Sequence, residues 1–279
     1  MADQNTSGGG APSKPLTVRS LVAMKERGER IAVLTAYDVL MAGLLDQAGI
    51  DCVLVGDSAG QVVAGESSTL PVRLEHMIYH GRAVQRGVRR ALVVVDMPFL
   101  TYQISREEAV RNCGRVLQET GAQAVKLEGG SPAMAETVRH VVEAGIPVMG
   151  HLGLVPQSLH RLGGYRLVGR SESEREVLLA DATRLADAGC FSLVLEMVPS
   201  RLAEEVTRSI PIPTIGIGAG PHCDGQVLVL PDMLGLNEGF NPGFLKRYAR
   251  LAEAVRDAVT DYVREVKEGV YPGPDHSYD

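Results

Sequence analysis

Apolar residues along this chain fall into two alternating textures. Short continuous runs, often β-branched, recur at Ile31–Thr35, Cys52–Val55, Leu92–Val95, Ala124–Leu127, Val148–Gly150, Ser192–Leu195, Thr214–Ile217 and Gln226–Leu230. Such runs suit parallel strands covered on both faces. Between most of them the apolar positions take helical spacing. Ser105 with Glu108, and Ser171 with Glu174, have the spacing of capping boxes. Ser131-Pro132 and Asn241-Pro242 pair an N-cap with proline at the first helical position. Gly49, Gly121, Gly145 and Gly189 stand where helices would end in a left-handed cap.

Strand–helix alternation repeated eight times predicts an α/β fold of the (β/α)8 barrel type; a doubly wound sheet is the runner-up. Thr17 to Arg27 carries its own apolar spacing (Val18, Leu21, Met24) and predicts an extra N-terminal helix that plugs one barrel mouth. The seventh βα unit is shortened, since only Gly218 to Gly225 separates runs seven and eight. No linker interrupts the middle, so residues 16–268 are expected to form one catalytic domain. Residues 1–15 read as a disordered leader and 269–279 as a loose tail.

Composition narrows the partners. The chain has 279 residues, 45% hydrophobic, with a net charge of −6 and a pI near 5.7. That balance argues against a nucleic-acid surface. No apolar run approaches the ~20 residues that span a membrane. Cys52, Cys113, Cys190 and Cys223 form no CxxC pair and read as reduced thiols of a cytoplasmic protein.

Chemistry gathers where the runs end. Asp57-Ser58, Asp96, Glu128 and Glu196 each close an apolar run. A carboxylate there has lost much of its water and needs a cation or a proton transfer to offset that loss. Residues two apart on a strand share a face. Lys126 and Glu128 therefore point one way, as do Val94 and Asp96, and Val53, Val55 and Asp57. If that face is the barrel interior, the charges meet at the C-terminal mouth. Asp57-Ser58 reads equally as a helix cap or turn, and Lys126–Glu128 as a structural ion pair.

Together Asp57, Asp96 and Glu128 offer three hard oxygen ligands, which suit Mg²⁺ better than Zn²⁺. His151, closing run five, reads as a hydrogen-bonding support. Glu196 has an apolar neighbourhood, suits a general base, and stands apart from the presumed ligands. Gly216-Ile217-Gly218-Ala219-Gly220 resembles a phosphate-cradling turn, although close backbone packing explains its glycines as well. Leu154–Arg170, with Gly163-Gly164, is either a lid or an ordinary loop.

In this order, several segments resemble the ketopantoate hydroxymethyltransferase family. They include Leu34-Thr35-Ala36-Tyr37-Asp38, Leu54-Val55-Gly56-Asp57-Ser58, Val95-Asp96-Met97-Pro98-Phe99 and Val125-Lys126-Leu127-Glu128-Gly129-Gly130. Gly150-His151-Leu152-Gly153-Leu154, Pro156-Gln157-Ser158, Leu162-Gly163-Gly164-Tyr165 and Glu196-Met197-Val198-Pro199 follow, then the Ile215–Gly220 glycine segment. The resemblance implies a barrel of the phosphoenolpyruvate/pyruvate superfamily. It implies Mg²⁺-dependent transfer of a one-carbon unit from 5,10-methylenetetrahydrofolate to 3-methyl-2-oxobutanoate, in pantothenate biosynthesis. It places Mg²⁺ on Asp57, Asp96 and Glu128, and the 2-oxoacid against Asp57, Ser58, Asp96 and Lys126. Glu196 takes the proton-acceptor role. A homo-oligomer, commonly a decamer, is implied too.

Three rivals share these residues. One is a Mg²⁺-dependent carbon–carbon lyase or phosphonate mutase of the same superfamily. Another is a Schiff-base aldolase with Lys126 as nucleophile. The third is a metabolite-binding barrel without catalysis.

Overall fold

The computed structural model describes residues 14–158, 164 and 166–278. Eight parallel strands close a barrel in chain order. They are β1 (Ile31–Thr35), β2 (Cys52–Val55), β3 (Leu92–Asp96), β4 (Ala124–Glu128), β5 (Val148–Gly153), β6 (Ser192–Glu196), β7 (Thr214–Ile217) and β8 (Gly225–Leu228). The expected barrel is therefore present, and the doubly wound sheet is not. Strands β3, β4 and β6 each end on an acid rather than before it, and β5 runs through His151.

The helices follow local chemistry. Helix α5 (Arg106–Thr120) starts on Ser105, whose hydroxyl accepts from Glu108 N at 3.1 Å. Helix α6 (Pro132–Glu143) starts on Ser131 with proline in its first turn. Ser171 caps α7 (Glu172–Asp187), but Glu174 does not close the box. Its carboxylate accepts instead from Gly169 N and Arg170 N, 3.1 Å each, and so ties down the preceding loop. Gly49, Gly121, Gly145 and Gly189 all adopt positive φ at helix ends, as expected. Helix α8 (Ser200–Ser209) links β6 to β7.

Helix α1 (Val18–Glu26) closes the bottom of the barrel. Leu21 and Met24 pack in one cluster with Ile31, Cys52, Leu92 and Ala124, the first residues of β1 to β4. Lys25 fixes the helix by donating to Thr207 O at 2.7 Å and to Asp224 Oδ2 at 3.0 Å. Cys52 and Leu54, rather than Val53 and Val55, belong to that interior cluster. The expected inward face of β2 was thus the wrong one.

The chain divides into two compact units, one through Val227 and one from Leu228. The second holds α9 (Leu230–Met233) and α10 (Leu251–Glu268). No helix starts at Asn241-Pro242. Arg247 Nη2 instead donates to the carbonyls of Asn237, Glu238 and Phe240, gathering that stretch into a loop. All four cysteines are buried and free. No described helix is long and apolar enough to cross a membrane. The expected leader lies mostly outside the described residues. So do residues 159–163 and 165, on which the lid expectation and the Leu162–Tyr165 segment fall.

Candidate active site

Register assembles the site. Asp96 pairs with Lys126 across β3 and β4, and Glu128 with His151 across β4 and β5. Val94, Ala124, Met149 and Val194 belong to the interior cluster. Two or four residues further along those strands come Asp96, Lys126, Glu128, His151 and Glu196, which face inward by alternation. They converge at the C-terminal mouth, as expected. Asp57 joins by another route. By alternation it would share the outer face of Val53 and Val55, but β2 stops at Val55 and a turn carries Asp57 inward.

Each acid of the trio has one oxygen held by a backbone or side-chain N–H. Asp57 Oδ2 accepts from Gln157 Nε2 at 2.9 Å. Asp96 Oδ2 accepts from Asp57 N at 3.1 Å, and Glu128 Oε2 from Gln157 N at 3.3 Å. The other oxygens of Asp96 and Glu128 face Lys126 Nζ, at 3.1 Å and 3.4 Å. Asp96 Oδ1 is close enough for an ion pair but has no aligned hydrogen-bond donor. His151 Nδ1 is 3.2 Å from Glu128 Oε1, and its Nε2 is 3.3 Å from Glu196 Oε2. Glu196 is thus joined to the cluster through His151, where the sequence suggested that it stands apart. Ser58 begins a short helix, α3 (Ala59–Val62), but its side chain makes no cap. Its hydroxyl lies 2.9 Å from Tyr37 OH instead.

Burial and crowding set the charges. Burial, then repulsion from Asp96 and Glu128, pushes Asp57 well above the usual carboxylate range. Burial also raises Asp96, against the pull of Lys126. For Glu128 burial opposes ionisation, but Lys126 and the hydrogen bond from His151 bring it down to about 2. Burial would lower Lys126, yet Asp96, Glu128 and Asp57 raise it, so it stays an ammonium. His151 is lowered by burial and by Lys126, but the hydrogen bond to Glu128 and the Glu196 carboxylate beside Nε2, which has no aligned acceptor, carry it up to about 9.

Does this donor set suit a divalent cation? Three buried carboxylates, one with an oxygen lacking an aligned donor, are hard ligands of the kind Mg²⁺ takes. Among the described residues no three His, Cys, Asp or Glu side chains stand at metal-binding spacing. Lys126 Nζ lies between Asp96 and Glu128. The donors fit in chemistry, and their final spacing depends on the ammonium shifting.

Sequence reading missed Gln157 and Tyr102. Tyr102 OH donates to Gln157 Oε1 at 2.7 Å and accepts from Glu128 N at 3.1 Å. Both are buried, but neither carries a charge and neither closes a strand. A cavity of about 980 Å³ touches Glu128, Tyr102 and Gln157, but not Lys126, His151 or Glu196. It flanks the charged cluster. The glycine segment after β7 reads as close packing: a Cβ on Gly220, where φ is +78°, would collide with Ser200.

A closed parallel barrel with acids, a lysine and a histidine at the C-terminal ends of its strands defines a barrel enzyme of acid–base chemistry. The family model described as ketopantoate hydroxymethyltransferase matches residues 15–274. The chain belongs to that family. A 3-methyl-2-oxobutanoate hydroxymethyltransferase of Moorella thermoacetica is 57% identical over 263 residues, covering 94% of this chain and 97% of that one. Among solved structures, a 2,3-dimethylmalate lyase of the PEP mutase/isocitrate lyase superfamily matches with TM-score 0.59 at 18% identity, covering 95% and 92% of the two chains. A phosphonopyruvate hydrolase in complex with oxalate and Mg²⁺ gives TM-score 0.58 at 13% identity, covering 94% and 93%. These two establish the fold. Hydroxymethyl transfer to 3-methyl-2-oxobutanoate, the activity expected from the sequence, is the activity of the family.

Proposed function

We propose that this chain uses Glu196 to take a proton from C3 of 3-methyl-2-oxobutanoate, and that the resulting carbanion bonds to the methylene carbon of 5,10-methylenetetrahydrofolate as its two C–N bonds break, with water supplying the hydroxyl and tetrahydrofolate leaving with the protons. The observation that carries this reading is the division of labour among the carboxylates. Asp96 and Glu128 have side chains only 5% and 2% exposed and paired to Lys126, whereas the Glu196 side chain is 19% exposed. The first two suit holding a charge, and the last suits meeting an incoming substrate.

Asp57, Asp96 and Glu128 would hold Mg²⁺. When bound, the cation polarises the ketone oxygen and makes the neighbouring C–H more acidic. The phosphonopyruvate hydrolase of like fold was crystallised with Mg²⁺ and oxalate, which supports a metal and a small dianion at this mouth. Lys126, kept as an ammonium by three acids, pairs with the substrate carboxylate. The same charge state disfavours the Schiff-base rival, which needs a free amine. His151 faces Glu196 with Nε2 and fixes its carboxylate. Ser58, turned toward Tyr37, lies beside Asp57 to meet the oxoacid.

The chain is further assigned to the cytoplasm, where buried free thiols stay reduced. A homo-oligomer is supported by Leu40, Leu44 and Tyr79, all exposed on α2 (Val39–Gln47) and α4 (Leu74–Gly87). The decisive assay follows C3 of the oxoacid in D₂O with Mg²⁺, with and without the folate. Exchange without folate, and product only with it, is expected. Product without folate would favour the lyase reading, and no exchange at all would favour the binding-only barrel.

A further inference from the structure

Among the described residues, Gln157 alone touches two of the three acids from outside the strands. It lies in a 3-10 turn, Pro156–Ser158, that follows β5, and it is buried. Its carboxamide is fully used. Nε2 donates to Asp57 Oδ2 and to Met97 O, 2.9 Å each. Oε1 accepts from Tyr102 OH at 2.7 Å and from Gln103 Nε2 at 3.2 Å. Two N–H donors and two lone pairs are all that a carboxamide offers. Flipping it would set its oxygen against a carboxylate and a carbonyl, so only one orientation is stable. Its backbone N–H meanwhile donates to Glu128 Oε2, and Tyr102 OH braces the backbone of Glu128.

We infer that Gln157 is a positioning residue for the divalent cation. It holds one oxygen of Asp57 and one of Glu128, which fixes the rotation of both carboxyl groups and leaves the other Glu128 oxygen facing Lys126 and His151. Tyr102 acts one step further out, by locking the carboxamide in its donating orientation. Partners of this kind govern metal affinity without touching the metal. The inference rests on the metal assignment proposed above. It concerns binding geometry, so Gln157 takes no part in proton transfer.

The test titrates metal-free protein with Mg²⁺ by calorimetry and with Mn²⁺ by electron paramagnetic resonance. The proteins are wild type, Gln157→Met, Gln157→Asn and Tyr102→Phe. Gln157→Met keeps the volume and the backbone N–H but removes the donors to Asp57. It is expected to weaken metal binding about 10- to 100-fold, with Tyr102→Phe weakening it less. Saturating Mg²⁺ is expected to restore most of kcat in Gln157→Met, so that the loss appears in the metal requirement. A merely structural role would lower Tm and leave metal affinity unchanged. Gln157→Asn, one methylene shorter and still polar, carries the test if Gln157→Met does not fold. Wild-type metal affinity in either folded Gln157 variant overturns the inference. No metal binding by the wild type would overturn the metal assignment itself.

Discussion

His151 stands between two carboxylates, with Nδ1 3.2 Å from Glu128 Oε1 and Nε2 3.3 Å from Glu196 Oε2. One ring thereby connects the carboxylate proposed to hold charge with the one proposed to move a proton. Glu196→Gln keeps the shape of that end of the bridge and removes the base. It is expected to bind the oxoacid within about threefold of wild type while C3 exchange in D₂O falls at least 100-fold, the lower range of general-base effects. Exchange at the wild-type rate, followed by NMR, would remove Glu196 from its role.

Asp96→Asn is expected to act on binding. It removes a charge facing Lys126 and one of the three hard donors. Affinity for Mg²⁺ and for the oxoacid should fall together, by about tenfold or more. Unchanged affinities in titration calorimetry would exclude Asp96 from the ligand set.

Lys126 is the counter-charge of the metal-free cluster. Lys126→Met leaves Asp96 and Glu128 buried without it, a change that typically costs about 3–5 kcal/mol. Denaturant unfolding of metal-free protein should show that loss, and added Mg²⁺ should recover part of it. A variant as stable as wild type without metal would mean that the acids are already neutral.

The histidine gives metal-free protein a pH signature. Because His151 is raised from 6.5 to about 9, its contribution to stability is complete below pH 6.5. It fades as pH climbs through about 9. Wild type should lose denaturant resistance over that window relative to His151→Gln. Parallel curves for the two proteins would show that the ring is not charged in the fold.

Gly153 packs against the backbone of Glu196, the proposed base. Its φ is +94°, and a Cβ there would collide with the carbonyl oxygen of Glu196, which accepts from Leu154 N at 2.8 Å. Gly153→Ala should lower both Tm and kcat. An unaltered kcat at full occupancy would show that the β5–β6 junction can shift without moving Glu196.

Asp96, Glu128 and Glu196 were legible because they end regular strands, and Lys126 because it precedes Glu128 by two on one of them, where a two-residue period fixes direction. Asp57 defeated that rule: the period stops at Val55, and a turn no alternation describes aims the carboxylate. Tyr102 left no trace and Gln157 only a place in the Pro156-Gln157-Ser158 segment, since an amide and a phenol in loops look like ordinary polar residues until the fold brings acids beside them. His151 was visible, but its link to Glu196 arises from pairing between β5 and β6 that single strands do not reveal. Asn241-Pro242 carried a true helix-start pattern, overridden by one arginine that draws three carbonyls around it.

With Leu21 and Met24 packed against the first residues of β1 to β4, the barrel is stoppered below, and the acids stand at its other end. Under the proposed function both reactants would come in from above, the small acid beneath the bulky carbon donor, and product-inhibition patterns of an ordered reaction are the outcome that checks it.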